Sequence, residues 1–144
     1  MTEIYRVAEV WQLADVYFIR RQTKIHGIPV TLAGEFDEKF NHHYHYILLK
    51  EGEDPVSTLR VNFENEDFAK IERVSTLEKF QNKGYGRALI QAAESWISER
   101  GYHKIIITSL DTAVGFYQKL GYVPDYDIHY SGEVPIIHLE KNIY

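Results

Sequence analysis

The 144-residue chain contains no cysteine. That excludes disulfides, thiolate metal sites and a cysteine-bound acyl intermediate, and it fits a cytoplasmic protein. No apolar stretch approaches the roughly twenty residues needed to cross a bilayer, so no membrane partner is expected. The opening Met-Thr-Glu-Ile-Tyr-Arg interrupts any apolar run with charge, which is unlike a signal peptide. A broad basic surface is also missing. The net charge is −5, which argues against non-specific nucleic-acid binding. Linkers, repeats and low-complexity stretches are absent. What remains suits one compact domain over 1–144: 44% hydrophobic, 14% aromatic and 26% charged residues, an ordinary globular balance.

The chain is organised around Gln81-Asn82-Lys83-Gly84-Tyr85-Gly86-Arg87, between a strand-like run and a helix-like run. Two closely spaced glycines allow a tight turn and close approach to a ligand. The helix that follows turns its unpaired N–H groups and positive dipole end toward that turn. With Lys83 and Arg87 beside them, and Lys79 near, these amides can cradle a phosphate. A nucleoside-triphosphate loop needs Gly-Lys followed by Ser or Thr, but Lys83 precedes Gly84. A dinucleotide loop needs a third glycine where Leu89 stands.

Gln-x-x-Gly-x-Gly resembles the acetyl-CoA signature of the Gcn5-related N-acetyltransferase (GNAT) superfamily. A second segment, Ala113-Val114-Gly115-Phe116-Tyr117-Gln118-Lys119-Leu120-Gly121-Tyr122, resembles the later motif of that family. The resemblance runs from about Ile71 to the C-terminus. The first half is similar to a bacterial subgroup of small single-domain proteins, with Ile28-Pro29 and the acidic Glu35 and Asp37. It implies an α/β (α+β) GNAT fold: a mixed, mostly antiparallel twisted sheet of six to seven strands, about four helices on both faces, and a central strand–helix–strand unit.

Periodicity gives the elements. A first strand is expected over Ile4 to Val10, and a helix from Trp11 to about Lys24, with Leu13, Val16, Tyr17 and Arg20 at helical spacing. Gly27 and Pro29 break that pattern, and a short helix or loop follows to Asn41. By the resemblance, this segment closes over the acceptor. His43 and His45 share a strand face, without a paired carboxylate. The solvated start of a strand is favoured over a metal site, which usually needs three or four ligands. Tyr46 to Lys50 and Val56 to Phe63 read as an antiparallel pair around a polar turn, Glu51 to Pro55. Phe68 to Leu77 feeds the glycine loop. Its apolar residues change parity between Ile71 and Val74, which suggests a β-bulge near Glu72-Arg73. The alternative is a regular strand.

Leu89, Ile90, Ala93, Trp96 and Ile97 lie on one face of a helix ended by Gly101. Ile105-Ile106-Ile107 reads as a strand buried on both faces. A short helix with Ala113, Phe116, Tyr117 and Leu120 on one face ends at Gly121. A terminal strand pair, Tyr122 to Tyr130 and Val134 to Glu140, turns at Ser131-Gly132.

The resemblance implies acetyl-CoA as cosubstrate, no metal, and direct transfer to an amine, carried by a small molecule, peptide or protein. Gln81, Asn82, Lys83, Gly84, Tyr85, Gly86 and Arg87 would hold the pyrophosphate. Val74, Ser75 and Thr76 would bind pantetheine, with Ala113 and Phe116 also on the CoA. A backbone N–H near Val74 would bond the thioester oxygen. Tyr117 stands where the family carries its tyrosine acid, and a phenol titrating near ~10 suits a leaving thiolate. It also reads as a core aromatic, although Phe116 beside it could do that packing. Glu72 is a candidate base if partial burial raises its pKa, and otherwise a surface carboxylate. His138 and Glu35 are weaker candidates. Glu35, Asp37 and Glu38 hint at a cationic acceptor. Many relatives carry an amide side chain where this chain has Leu110. A CoA-binding module without chemistry, or an interaction domain using its eleven tyrosines, are the alternatives. The oligomeric state is open between monomer and homodimer.

Overall fold

The computed structural model describes residues 1–130, 132 and 134–144. In chain order the elements are β1 (Thr2–Arg6), α1 (Val10–Arg20), β2 (Lys24–Ile25), β3 (Ile28–Pro29), α2 (Leu32–Glu35), β4 (His45–Glu51), β5 (Asp54–Asn62), β6 (Ala69–Thr76), α3 (Tyr85–Glu99), β7 (Lys104–Leu110), α4 (Val114–Lys119), β8 (Val123–Asp125) and β9 (Ile136–Asn142). Seven strands form one mixed sheet in the order β1-β4-β5-β6-β7-β9-β8, and β2 and β3 form a separate ladder. The β6–β7 pair is parallel, and the pairs β1–β4, β4–β5, β7–β9 and β8–β9 are antiparallel. Helix α3 is the crossover between β6 and β7, the central strand–helix–strand unit expected.

Contacts group the chain into two units, Met1–Val61 with Arg73–Ala93, and Asn62–Glu72 with Glu94–Tyr144. In the first, Val16 and Ile19 of α1 are buried with Tyr46 and Leu48 of β4 and with Leu77. Tyr5, Leu13, Tyr17, Tyr44 and Phe80 pack around them. Helix α1 begins where a capping box closes it. The Gln12 side chain accepts from the N–H groups of Ala8 (2.7 Å) and Glu9 (3.0 Å). This fixes the chain's exit from β1, so that strand ends at Arg6 and not at Val10. His26 and Gly27 both have positive φ, +51° and +78°. Two such residues make the two-residue hairpin turn that matches strand twist. Strands β4 and β5 also run further than the polar composition of their turn suggests, leaving only Gly52 and Glu53 between them.

In the second unit, Ile105, Ile107 and Leu139 are buried on β7 and β9. Ile106 is only half-buried, so β7 alternates and is not covered equally on both faces. Phe63, Trp96 and Tyr102 form an aromatic group, with the Arg100 guanidinium 4.1 Å from the Phe63 ring centre. The apolar face read for α3 (Leu89, Ile90, Ala93, Trp96, Ile97) is buried throughout. Gly101, at φ +89°, ends that helix as the N–H of Tyr102 returns to the Ile97 carbonyl. The expected terminal strand pair is shorter than its sequence. The Asp125 side chain accepts from the Asp127 N–H at 3.0 Å, turning the chain after three strand residues. Ser131, at the expected turn, lies outside the described residues.

Candidate active site

The glycine loop is built by backbone conformation. A 3₁₀ turn, Glu78–Phe80, leads into Gln81. Asn82 and Gly84 take positive φ, +62° and +86°. A Cβ on Gly84 would meet nothing within 4 Å, so the dihedral angle, not space, selects glycine there. The Gly84 carbonyl then accepts the Ala88 N–H, the first helical bond of α3. The helix therefore starts at Tyr85, three residues before the apolar pattern does, and its first amides belong to the loop itself. The Gln81 side chain donates to the Thr76 carbonyl at 3.2 Å and ties the loop to β6. Lys79, Lys83 and Arg87 are exposed. Tyr85 donates to Glu51 at 3.1 Å, which occupies its hydroxyl.

Strand β6 supplies the second part. Its register against β7 runs from Ala69 opposite Ile105 to Ile71 opposite Ile107. Two residues later, Arg73 has φ +54°, left-handed backbone within a strand. For a residue with a Cβ this costs about 1–2 kcal/mol. The parity change in the sequence thus has a backbone irregularity at the same place. Val74, Ser75 and Thr76 follow, all half-buried. Ser57 donates to the Ser75 carbonyl at 3.0 Å and shares a 2.7 Å hydrogen bond with the Thr76 hydroxyl. Glu72, just before the irregularity, is half-buried.

A third group was not expected as a unit. Arg20, only 1% exposed, donates from Nε to Glu35 at 3.2 Å and from Nη2 to the Glu35 carbonyl at 2.9 Å. It also engages both Glu38 oxygens, one of them at 3.1 Å. Arg60 binds Asp37 through both Nη atoms, at 2.7 and 3.3 Å, and reaches Glu38 at 3.1 Å. Arg73 reaches Glu35 at 3.5 Å and Asp37 at 3.2 Å. The Tyr46 hydroxyl donates to Glu38 at 2.7 Å. Three arginines thus face three carboxylates. Glu35 and Glu38 are paired with internal guanidinium groups, and the half-exposed Asp37 pairs with Arg60 and Arg73, so the three acids are engaged within the protein and do not simply solvate a loop. The same pairing removes Glu35 as a free base.

These pairs set the acid response. The hydrogen bond from Arg60, then the charges of Arg60 and Arg73, hold the Asp37 carboxyl well below its usual range. Burial alone would raise Glu38, but hydrogen bonds from Arg20 and Tyr46 and the charges of Arg20 and Arg60 outweigh it and hold it low. Both groups bind protons less readily in the fold than in the unfolded chain. Their stabilisation is therefore present above the unfolded carboxylate pKa of about 4 and is lost as pH falls through the depressed folded values. Urea midpoints should change little from pH 7 to about 5 and fall steadily below about 4. A midpoint that holds to pH 2.5 would contradict the pairing.

In the second unit, Tyr117 on α4 is 5% exposed, while Phe116 is 37% exposed. The packing residue is therefore Tyr117, and the argument that Phe116 could replace it does not hold. Among the described residues no hydrogen bond engages the Tyr117 hydroxyl. Burial pushes the phenol above its usual 10, which keeps it protonated but makes it a weaker acid than the sequence argument assumed. Ala113 is half-buried at the start of α4. His138 is held at both ring nitrogens, Nδ1 by Tyr130 and Nε2 by Glu140, each at 2.8 Å. With Nε2–H donating to Glu140, Nδ1 accepts from Tyr130, and no lone pair is left for a substrate.

Residues 7–122 match the sequence profile of the Acetyltransferase (GNAT) family. The chain belongs to the GNAT acetyltransferase family. The Bacillus subtilis protein YyaT is 29% identical over 142 residues, covering 97% of this chain and 95% of that protein. The B. subtilis N-acetyltransferase YjcF, itself uncharacterized, is 30% identical over 111 residues, covering 77% and 78%. A crystal structure of a candidate N-acetyltransferase from Lactobacillus plantarum superposes with a TM-score of 0.89 at 26% identity, covering 99% of both chains. Escherichia coli ElaA shares the fold at a TM-score of 0.80 and 16% identity, covering 98% of this chain and 99% of that one. This GNAT protein is thus an N-acetyltransferase, its described residues forming a seven-stranded mixed sheet with four α-helices. Among the described residues no helix is long and apolar enough to cross a membrane.

The structure also corrects what periodicity conveys about charge. Arg20 lies in phase with the buried stripe of α1, and Arg60 alternates with Leu59 and Val61 on β5, yet both faces of β5 are buried. A charged residue in a buried phase was the available signal for the cluster. Of the adjacent histidines only His45 lies in β4; the rings of His43 and His45 meet edge-on at 4.8 Å, and His42 stacks on Tyr44.

Proposed function

We propose that this GNAT protein transfers the acetyl group of acetyl-CoA directly to a primary amine within a ternary complex. The observation that carries this reading is the glycine loop. Left-handed Asn82 and Gly84 deliver the chain into a 15-residue helix whose first amides face the turn, beside exposed Lys83 and Arg87. In this reading the amides of Gly84, Tyr85, Gly86 and Arg87, with Gln81, Asn82 and Lys83, hold the pyrophosphate. Val74, Ser75 and Thr76 line the pantetheine arm, and Ala113 and exposed Phe116 contact the CoA. The Val74 N–H bonds the thioester oxygen as negative charge develops there. Glu72 first accepts a proton from the ammonium through water. The neutral amine nitrogen then forms a bond to the carbonyl carbon, the C–S bond breaks, the thiolate takes the proton of Tyr117, and the second proton shed by the nitrogen restores the phenol. The acceptor is a small-molecule, peptide or protein amine.

Calorimetric titration with acetyl-CoA beside free CoA tests the cosubstrate. The expected result is binding in the micromolar range, with acetyl-CoA at least as tight as CoA. Free-thiol release over a panel of amines then separates catalysis from storage of the thioester. The absence of binding at millimolar acetyl-CoA would remove the reading.

A further inference from the structure

Among the described residues, three other than glycine have positive φ: His26, Arg73 and Asn82. His26 and Asn82 stand in turns, and Arg73 stands within a strand. Asparagine and glycine accept left-handed backbone readily, whereas a long side chain keeps it only where its surroundings hold it. The Arg73 guanidinium shows what holds it. One nitrogen lies 3.5 Å from Glu35 Oε2 and the other 3.2 Å from Asp37 Oδ2. Neither carboxylate is free to follow a moving arginine. Glu35 is fixed by Arg20 and Asp37 by the two-pronged contact of Arg60. The next peptide N–H along the chain is that of Val74.

We infer that Arg73 is a positioning residue: its ion pairs with Glu35 and Asp37 hold the left-handed turn of β6 and so aim the Val74 N–H at the thioester oxygen. The inference rests on the acetyl-CoA reading above. It links the segment around α2 to the reacting carbonyl, although none of Glu35, Asp37 or Arg73 needs to touch the acetyl group. Disturbing the link from either end should therefore produce the same defect.

The test compares Arg73→Gln, Arg73→Lys and Asp37→Asn, and the double variant Arg73→Gln/Asp37→Asn. Free-thiol release gives kcat and KM, and calorimetry gives the Kd for acetyl-CoA. Gln carries no charge and, unlike Asn, does not favour left-handed backbone, so nothing of its own keeps the turn. Arg73→Gln should lower kcat roughly 10- to 100-fold, because a donor misplaced by about 1 Å forfeits that much. The Kd for acetyl-CoA should stay within about threefold, since the pyrophosphate contacts are untouched. Arg73→Lys, keeping one ion pair, should fall between. The double variant should be no slower than the worse single one. Wild-type kcat in Arg73→Gln, or losses that multiply in the double variant, would overturn the inference. If Arg73→Gln does not fold, Asp37→Asn decides by the same split between kcat and Kd. Wild-type protein that neither binds acetyl-CoA nor releases thiol would overturn the acetyl-CoA reading, and this inference with it.

Discussion

Tyr117→Phe is expected to lower kcat by about 10²- to 10⁴-fold, the usual contribution of a positioned acid. The Kd for acetyl-CoA should stay within about threefold. The two effects separate because of how the side chain sits. Its ring packs edge-on against Phe116 and Tyr122, with centroids 5.0 and 6.0 Å away. Phenylalanine preserves both contacts. The hydroxyl holds no partner among the described residues, so its removal leaves no buried group unpaired and should change stability by less than about 1 kcal/mol. Burial keeps the phenol protonated through the physiological range, and a thiolate forming beside it would be the group that draws the proton away. Equal losses in kcat and binding would mean that Tyr117 shapes the site and does not donate.

Arg20→Met should have the largest effect on stability. The guanidinium is almost wholly inaccessible and contacts Glu35, Glu38 and the Phe36 ring, the last at 4.7 Å. Methionine fills much of the volume but strips two buried carboxylates of their main counter-charge. Breaking a buried pair from one side costs about 3–5 kcal/mol. For a chain of this size that is a fall in Tm of about 10–15 °C, measured by thermal unfolding at pH 7. Arg21→Met, one residue on and exposed, is the control, with a change within about 0.5 kcal/mol. A loss under 1 kcal/mol for Arg20→Met would show that water reaches the cluster and that the pairs are of the weak surface kind.

These two residues also mark where sequence reasoning succeeds and where it stops. The glycine loop and α3 are legible because their causes are local: two small residues, a 3.6-residue apolar period and a glycine stop within about twenty positions. The strand irregularity is legible for the same reason, since a parity change is a local pattern. The cluster is not, because its members meet across 15, 23 and 38 residues of chain. Locally, Arg20 reads as a favourable helix end and Asp37 as a loop acid. Tyr117 is an intermediate case. Its helical phase marks it as inward-facing, but phase says equally that Phe116 is inward-facing, and only tertiary packing separates them. Asp125 shortens β8 through a side-chain turn that competes with strand pairing, a contest that composition does not resolve.

The balanced set of three arginines and three acids bears on attempts to retarget the protein. Exchanging the segment after α1 between relatives is one way to test whether it sets substrate choice. Here the exchange would remove Glu35, Asp37 and Glu38 while leaving Arg20, Arg60 and Arg73 behind in α1, β5 and β6. A transplant of residues 31–41 alone strands three cations and should yield insoluble chimeras. One that carries the donor's residues at 20, 60 and 73 as well moves a complete set. The unit of inheritance in this part of the molecule is six scattered positions, not a loop.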